Sequence, residues 1–103
     1  MVFWNKKNSV KIEMVHKQNT ENKDIIEFWF KLNKDILGLT VNINSLNQKD
    51  KIKPLPDTIY YQNKWYLLAG YENVKVKQKW KFTFKGFKKE NNEEFKSVIN
   101  YKI

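Results

Sequence analysis

Residues 74–89 read VKVKQKWKFTFKGFKK, and their strict alternation limits what the chain can fold into. Val74, Val76, Trp80, Phe82 and Phe84 share one phase; Lys75, Lys77, Lys79, Lys81 and Lys85 share the other. A period of two places successive side chains on opposite faces of an extended backbone, so one set enters a core while the other meets solvent. A helix would scatter both sets around its circumference. The run therefore predicts a β-strand over 74–85. At about 3.3 Å per residue such a strand reaches roughly 40 Å, long enough to bend, with Gln78 or Gly86 as the place for a bulge or a change of sheet.

The rest of the chain repeats the pattern in shorter pieces. Residues 9–17 alternate, with Val10, Ile12 and Met14 on one face. In Ile25–Leu32, Ile26, Phe28, Phe30 and Leu32 align, leaving Glu27, Trp29 and Lys31 opposite. Residues 36–43 align Leu37, Leu39, Val41 and Ile43, and the Asn33-Lys34-Asp35 cluster between these two runs predicts a hairpin. Ser45 and Gln48 have capping-box spacing, which predicts at most one short helical turn near 46–52 before Pro54 and Pro56 hold an extended connector. Residues 58–61 and 64–69 predict a second hairpin around Gln62-Asn63. The last pairs the lysine strand with residues 94–103, where Phe95, Ile99, Tyr101 and Ile103 are in phase. About seven strands and almost no helix imply an all-β, single-domain antiparallel sandwich or small barrel spanning residues 1–103.

With 103 residues the chain can bury roughly two-thirds of its unfolded surface, and sixteen aromatics build a core from few positions. No stretch approaches the roughly 20 apolar residues of a membrane-spanning helix. The first ten residues lack the pattern of a secretory leader, and the chain has no cysteine; both fit a cytoplasmic protein in a reducing compartment.

The net charge of +9 is unevenly placed. Residues 74–89 hold seven lysines and no acid, residues 1–73 eleven lysines against eight acids, and residues 90–103 two against three. All twenty basic residues are lysine, and asparagine occurs thirteen times. Part of that bias follows from AT-rich codons, but codon bias does not cluster charge. Lysine lacks the planar fork with which arginine grips guanine, so a lysine-only surface tracks a backbone and reads bases poorly.

Two readings of the lysine row compete. Solvent-facing lysines keep an apolar strand soluble and block edge-to-edge pairing. Alternatively, charges about 6.7 Å apart match phosphate spacing along an extended nucleic-acid strand. Lys75, Lys77, Lys79, Lys81, Lys85 and Lys88 are the candidate contacts to nucleic acid or a nucleotide-like polyanion. Five engaged lysines of the row would give a salt slope near about −3.5 on single strands and about −4.5 on duplex. Trp29, Tyr61, Trp65 and Phe87 are candidate exposed aromatics, suited to base stacking or to a protein interface. They support the alternative of a small inhibitor or accessory protein, of phage or mobile-element type, that docks on an acidic protein partner.

Catalysis finds little support. His16 is the single histidine and reads as a structural or rim residue. Zinc needs three or four nitrogen or sulfur ligands, and no pair of nucleophile and base stands out. Gly38, Gly70 and Gly86 are too dispersed for a phosphate loop. No cofactor, metal or catalytic residue is expected. Without an amphipathic helix, contact with a membrane ranks below the other readings.

Overall fold

The computed structural model describes residues 10–46, 48–53 and 58–103; Pro54 and Pro56, with the extended connector expected there, lie outside them. Eight strands are formed: β1 (Ile12–Gln18), β2 (Ile25–Leu32), β3 (Ile36–Ser45), β4 (Gln48–Ile52), β5 (Ile59–Tyr60), β6 (Trp65–Glu72), β7 (Lys79–Lys88) and β8 (Glu94–Lys102). Sheet A has the order β1-β2-β6 and sheet B the order β4-β3-β7-β8, with β5 pairing the start of β3. All pairings are antiparallel. The result is an all-β sandwich of two antiparallel sheets.

The core lies where the inner phases of the two sheets meet. Phe28, Phe30 and Leu32 of β2 face Val41 and Ile43 of β3 and Trp80, Phe82 and Phe84 of β7, and each of these is at most 2% exposed. Phe28 packs its ring 4.8 Å from Trp80 and 5.0 Å from Phe82, and Phe30 sits 5.5 Å from Phe84. Aromatic pairs at these separations add about 0.5–1.5 kcal/mol each beyond their buried area. The alternation read from β2, β7 and β8 thus marks their buried faces.

Several neighbours differ from those the sequence suggested. β2 and β3 do not form a hairpin; the chain crosses from sheet A to sheet B between them. Alternation identifies a buried face but not the strand beside it. The backbone of this crossing is satisfied by other segments: Asn33 N donates to Lys11 O, Lys89 N to Asp35 O, and Gln62 N to the Asp35 carboxylate. The segments at 58–61 and 64–69 likewise part company, β5 joining β3 and β6 joining β2.

In place of the helical turn expected near 46–52, Gln48–Ile52 form the strand β4. Ser45 and Gln48 are the closing pair of a tight β3–β4 hairpin, because a spacing of three serves a two-residue loop as well as a capping box. The Ser45 hydroxyl donates to Lys79 O instead of capping a helix.

The lysine strand starts later than its alternation implied. Residues 74–78 form a turn, and β7 runs only from Lys79 to Lys88. The bulge sits in its partner. Gly38 and Leu39 of β3 oppose the single residue Gly86, and Gly38 takes a left-handed φ of 58°. The bulge switches the phase of β3, so Ile36 is buried and Leu37 turns to the outer side, beside Phe87. The phase of β7 is unbroken through Gly86.

Candidate nucleic-acid interface

Register decides what the outward phase of β7 meets. Lys79 lies beside Lys102 of β8, Lys85 beside Lys96, and Lys81 beside Asn100. On the other side, Lys81 neighbours Asn44 and Lys85 neighbours Thr40, while Asn44 and Asn42 are followed by Lys49 and Lys51 of β4. Strands sit about 4.8 Å apart, so four of them form a face about 14 Å wide. Seven lysines stand on it: Lys49, Lys51, Lys79, Lys81, Lys85, Lys96 and Lys102, all exposed.

Little on this face offsets their charge. Glu94, opposite Phe87 at one margin, is the acid in the outward phase. Asp50 of β4 is in the inward phase, beside Ile43, and accepts a 2.6 Å hydrogen bond from the Tyr71 hydroxyl. Among the described residues the ion pairs are Lys31–Glu13, Lys34–Glu90 and Lys88–Glu93, none with a lysine of this face. Asn42, Asn44, Lys49, Lys51 and Thr83, together with Ile43 and the exposed Asp50, line a shallow depression of about 330 Å³. Amides and hydroxyls of this kind contact phosphate and sugar oxygens, while ammonium groups neutralise phosphate charge.

The structure divides the residues singled out from the sequence. Lys79, Lys81 and Lys85 line up on β7 as expected. Lys75 and Lys77 do not join them; both lie in the turn before the strand, Lys77 with a φ of 66°. Lys88 is a correction too. It shares the inward phase of Trp80, is 7% exposed, and places its ammonium 3.5 Å from Glu93. Phe87 is on the lysine side, 41% exposed and packed toward Gly38.

The tryptophans are elsewhere. Trp29 and Trp65 occupy the outer face of sheet A, together with exposed Val15 and Leu67. The Lys17 ammonium lies 4.2 Å from the Trp29 ring centre and that of Lys31 5.0 Å from Trp65. Trp29 Nε1 also donates to the Glu27 carboxylate. Tyr61 is exposed in the connection to β6, whereas Tyr60 and Tyr66 turn inward against Phe30. Trp29 and Trp65 are therefore on the side of the sandwich opposite the lysine face.

Lys49, Lys51, Lys96 and Lys102 were missed by reading one strand at a time. A signal existed: the alternation of Asn42 and Asn44 with buried β3 residues, and of Lys96, Asn100 and Lys102 in β8, places them outward. Their union into one surface depends on strand order. His16 sits at the sandwich rim, its Nδ1 2.7 Å from the Tyr101 hydroxyl. Among the described residues no three of His, Asp and Glu gather as a metal site would require, and no helix is long and apolar enough to cross a membrane.

These features define an antiparallel β-sandwich with one basic, polar face and one aromatic face. In comparisons with known proteins, the chain matches no family model, no curated protein and no solved structure.

Proposed function

We propose that the protein is a non-catalytic binding module that holds the phosphate backbone of nucleic acid against the outer face of sheet B, with little sequence selectivity. One observation carries the reading: seven exposed lysines spread over three strands of that face, against two acids, Glu94 at its margin and Asp50 beside the β4 lysines, the latter already accepting a hydrogen bond from Tyr71. Solubility alone needs scattered charges of both signs, not a field of one sign. Trp29 and Trp65 lie on the far side and Phe87 stands at the margin of this face, an arrangement that disfavours a stacking groove for single strands, so the backbone is the feature the face suits.

The test is oligonucleotide binding at low salt by the parent and by Lys81→Glu/Lys85→Glu. Both side chains are exposed, so the variant should keep its melting temperature and lose binding. Undiminished binding by the folded variant would leave the lysines as a solubilising surface.

A second reading has its own observation, the patch of Val15, Trp29, Trp65 and Leu67 on sheet A. Tryptophan is a preferred anchor of protein interfaces, and Lys17 and Lys31 above the rings suit an acidic partner protein. Under this reading Trp65→Ala weakens partner binding, and no oligonucleotide binds even at low salt.

A further inference from the structure

Among the described residues, the two most exposed large aliphatic side chains are neighbours. Leu46, in the β3–β4 turn, is 76% exposed, and Val76, in the turn between β6 and β7, is 84% exposed. With Lys75, Lys77, Gln78 and Lys79 they line one shallow, largely apolar concavity at the end of sheet B.

Val76 is not loosely displayed. Gln78 N donates to Lys75 O, Lys75 N to Gln78 Oε1, and Lys77 N to Ile103 O. Gln78 Nε2 donates to the Ser45 hydroxyl, which donates to Lys79 O and so ties this turn to the base of the Leu46 turn. Lys77 adopts a left-handed φ, a conformation that costs a residue with a side chain. The chain thus spends several hydrogen bonds and some strain holding an aliphatic group away from its own core.

We infer that this tip docks on an anionic lipid bilayer, with Leu46 and Val76 entering the headgroup region and Lys75, Lys77 and Lys79 meeting lipid phosphates. The ammonium groups supply the charge complementarity: the concavity itself is lined by three lysines and no acid, while Glu72 lines the adjoining depression with Leu46 and Lys75. Lysine stems lie along apolar surface while their heads reach polar groups, which fits the boundary between acyl chain and headgroup. A protein partner suits the tip less well, because leucine and valine are under-represented among interface anchors. A phosphate backbone gives aliphatic groups nothing to bind. The inference shares Lys79 with the lysine face but rests on Leu46, Val76, Lys75 and Lys77, which are not on that face, and stands without it.

The experiment is co-sedimentation of the parent chain with vesicles of phosphatidylcholine, alone or mixed with an equal part of phosphatidylserine. The parent should pellet with the mixed vesicles only. Leu46→Asp/Val76→Asp should lower that affinity at least about tenfold, and Lys75→Gln or Lys77→Gln about fivefold each. All are exposed, so melting temperature and oligonucleotide affinity should hold. The chain has no cysteine, so Val76→Cys carrying an environment-sensitive dye should shift to the blue on mixed vesicles. Absence of binding by the parent, full binding by the double Asp variant, or an unshifted dye would each overturn the inference. Loss of oligonucleotide rather than vesicle affinity in the double variant would overturn it too, and would assign the tip to the nucleic-acid surface.

Discussion

The salt dependence of duplex binding separates a face from a row. Each lysine that neutralises a phosphate of duplex DNA adds about −0.9 to the slope of log affinity against log salt. The five alternating lysines of residues 74–85 would give about −4.5. In the structure only Lys79, Lys81 and Lys85 of that set share the outer face of β7, and alone they would give about −2.7. The four-stranded face adds Lys49, Lys51, Lys96 and Lys102, and if it lies flat on the duplex the slope is near about −6.3. Between about 50 and 200 mM salt, that is nearly four decades of affinity against fewer than two for β7 alone. Fluorescence anisotropy with a labelled duplex over this range reads the slope directly. Lys49→Gln/Lys96→Gln should lower its magnitude by about 1.8, and Lys75→Gln/Lys77→Gln should leave it unchanged. A parent slope of about −2.7 or shallower, insensitive to Lys49 and Lys96, would refute the argument that strand order assembles the surface.

Other outcomes test the scaffold. A Cβ at Gly86 would stand 2.9 Å from Ile36 Cγ2 and 3.1 Å from Leu37 O, so Gly86→Ala should cost about 1–3 kcal/mol in urea unfolding. Gly38 has room for a Cβ but holds a left-handed φ, so Gly38→Ala should cost about 1–2 kcal/mol and Gly38→Asn less; equal losses at Gly38 would contradict a conformational origin. Burial, then the hydrogen bond to Asp50 and its charge, push the Tyr71 pKa above the ordinary tyrosine value. The fold therefore holds the proton more tightly than the unfolded chain, and this stability is present below about pH 10 and lost as pH rises beyond it. Tyr71→Phe should cost about 1 kcal/mol at neutral pH and flatten the alkaline decline, as followed by denaturation at successive pH values. Lys88→Met should keep stability within about 1.5 kcal/mol, since replacing a buried pair member with a fitting apolar chain spares its desolvation. It should also leave oligonucleotide affinity intact, because Lys88 is not on the face.

The buried faces of β2, β7 and β8 were legible because alternation over eight to ten residues has one solution. Lys75 and Lys77 were misplaced because the alternation continues through a turn, where Asn73 and Lys77 take left-handed conformations that no period reveals. Lys88 was readable as inward by counting from Trp80. The glycine beside Phe87 suggested a break in β7, whereas the bulge fell in β3. Gln48–Ile52 have strand partners because β3 offers them an open edge.

Chemistry within one strand was thus settled locally: which side chains are apolar, which carry charge, and which phase they share. A period of two follows from backbone geometry and needs no neighbour. Strand order is a tertiary property, set by how the aromatic inner faces of two sheets bury one another. That order sets Lys49 and Lys51 across from Lys96 and Lys102, sends Trp29 and Trp65 to the opposite side, and brings Leu46 beside Val76. Side-by-side placement across strands arises from long-range pairing, so a surface drawn from several of them takes shape only when the whole sandwich closes.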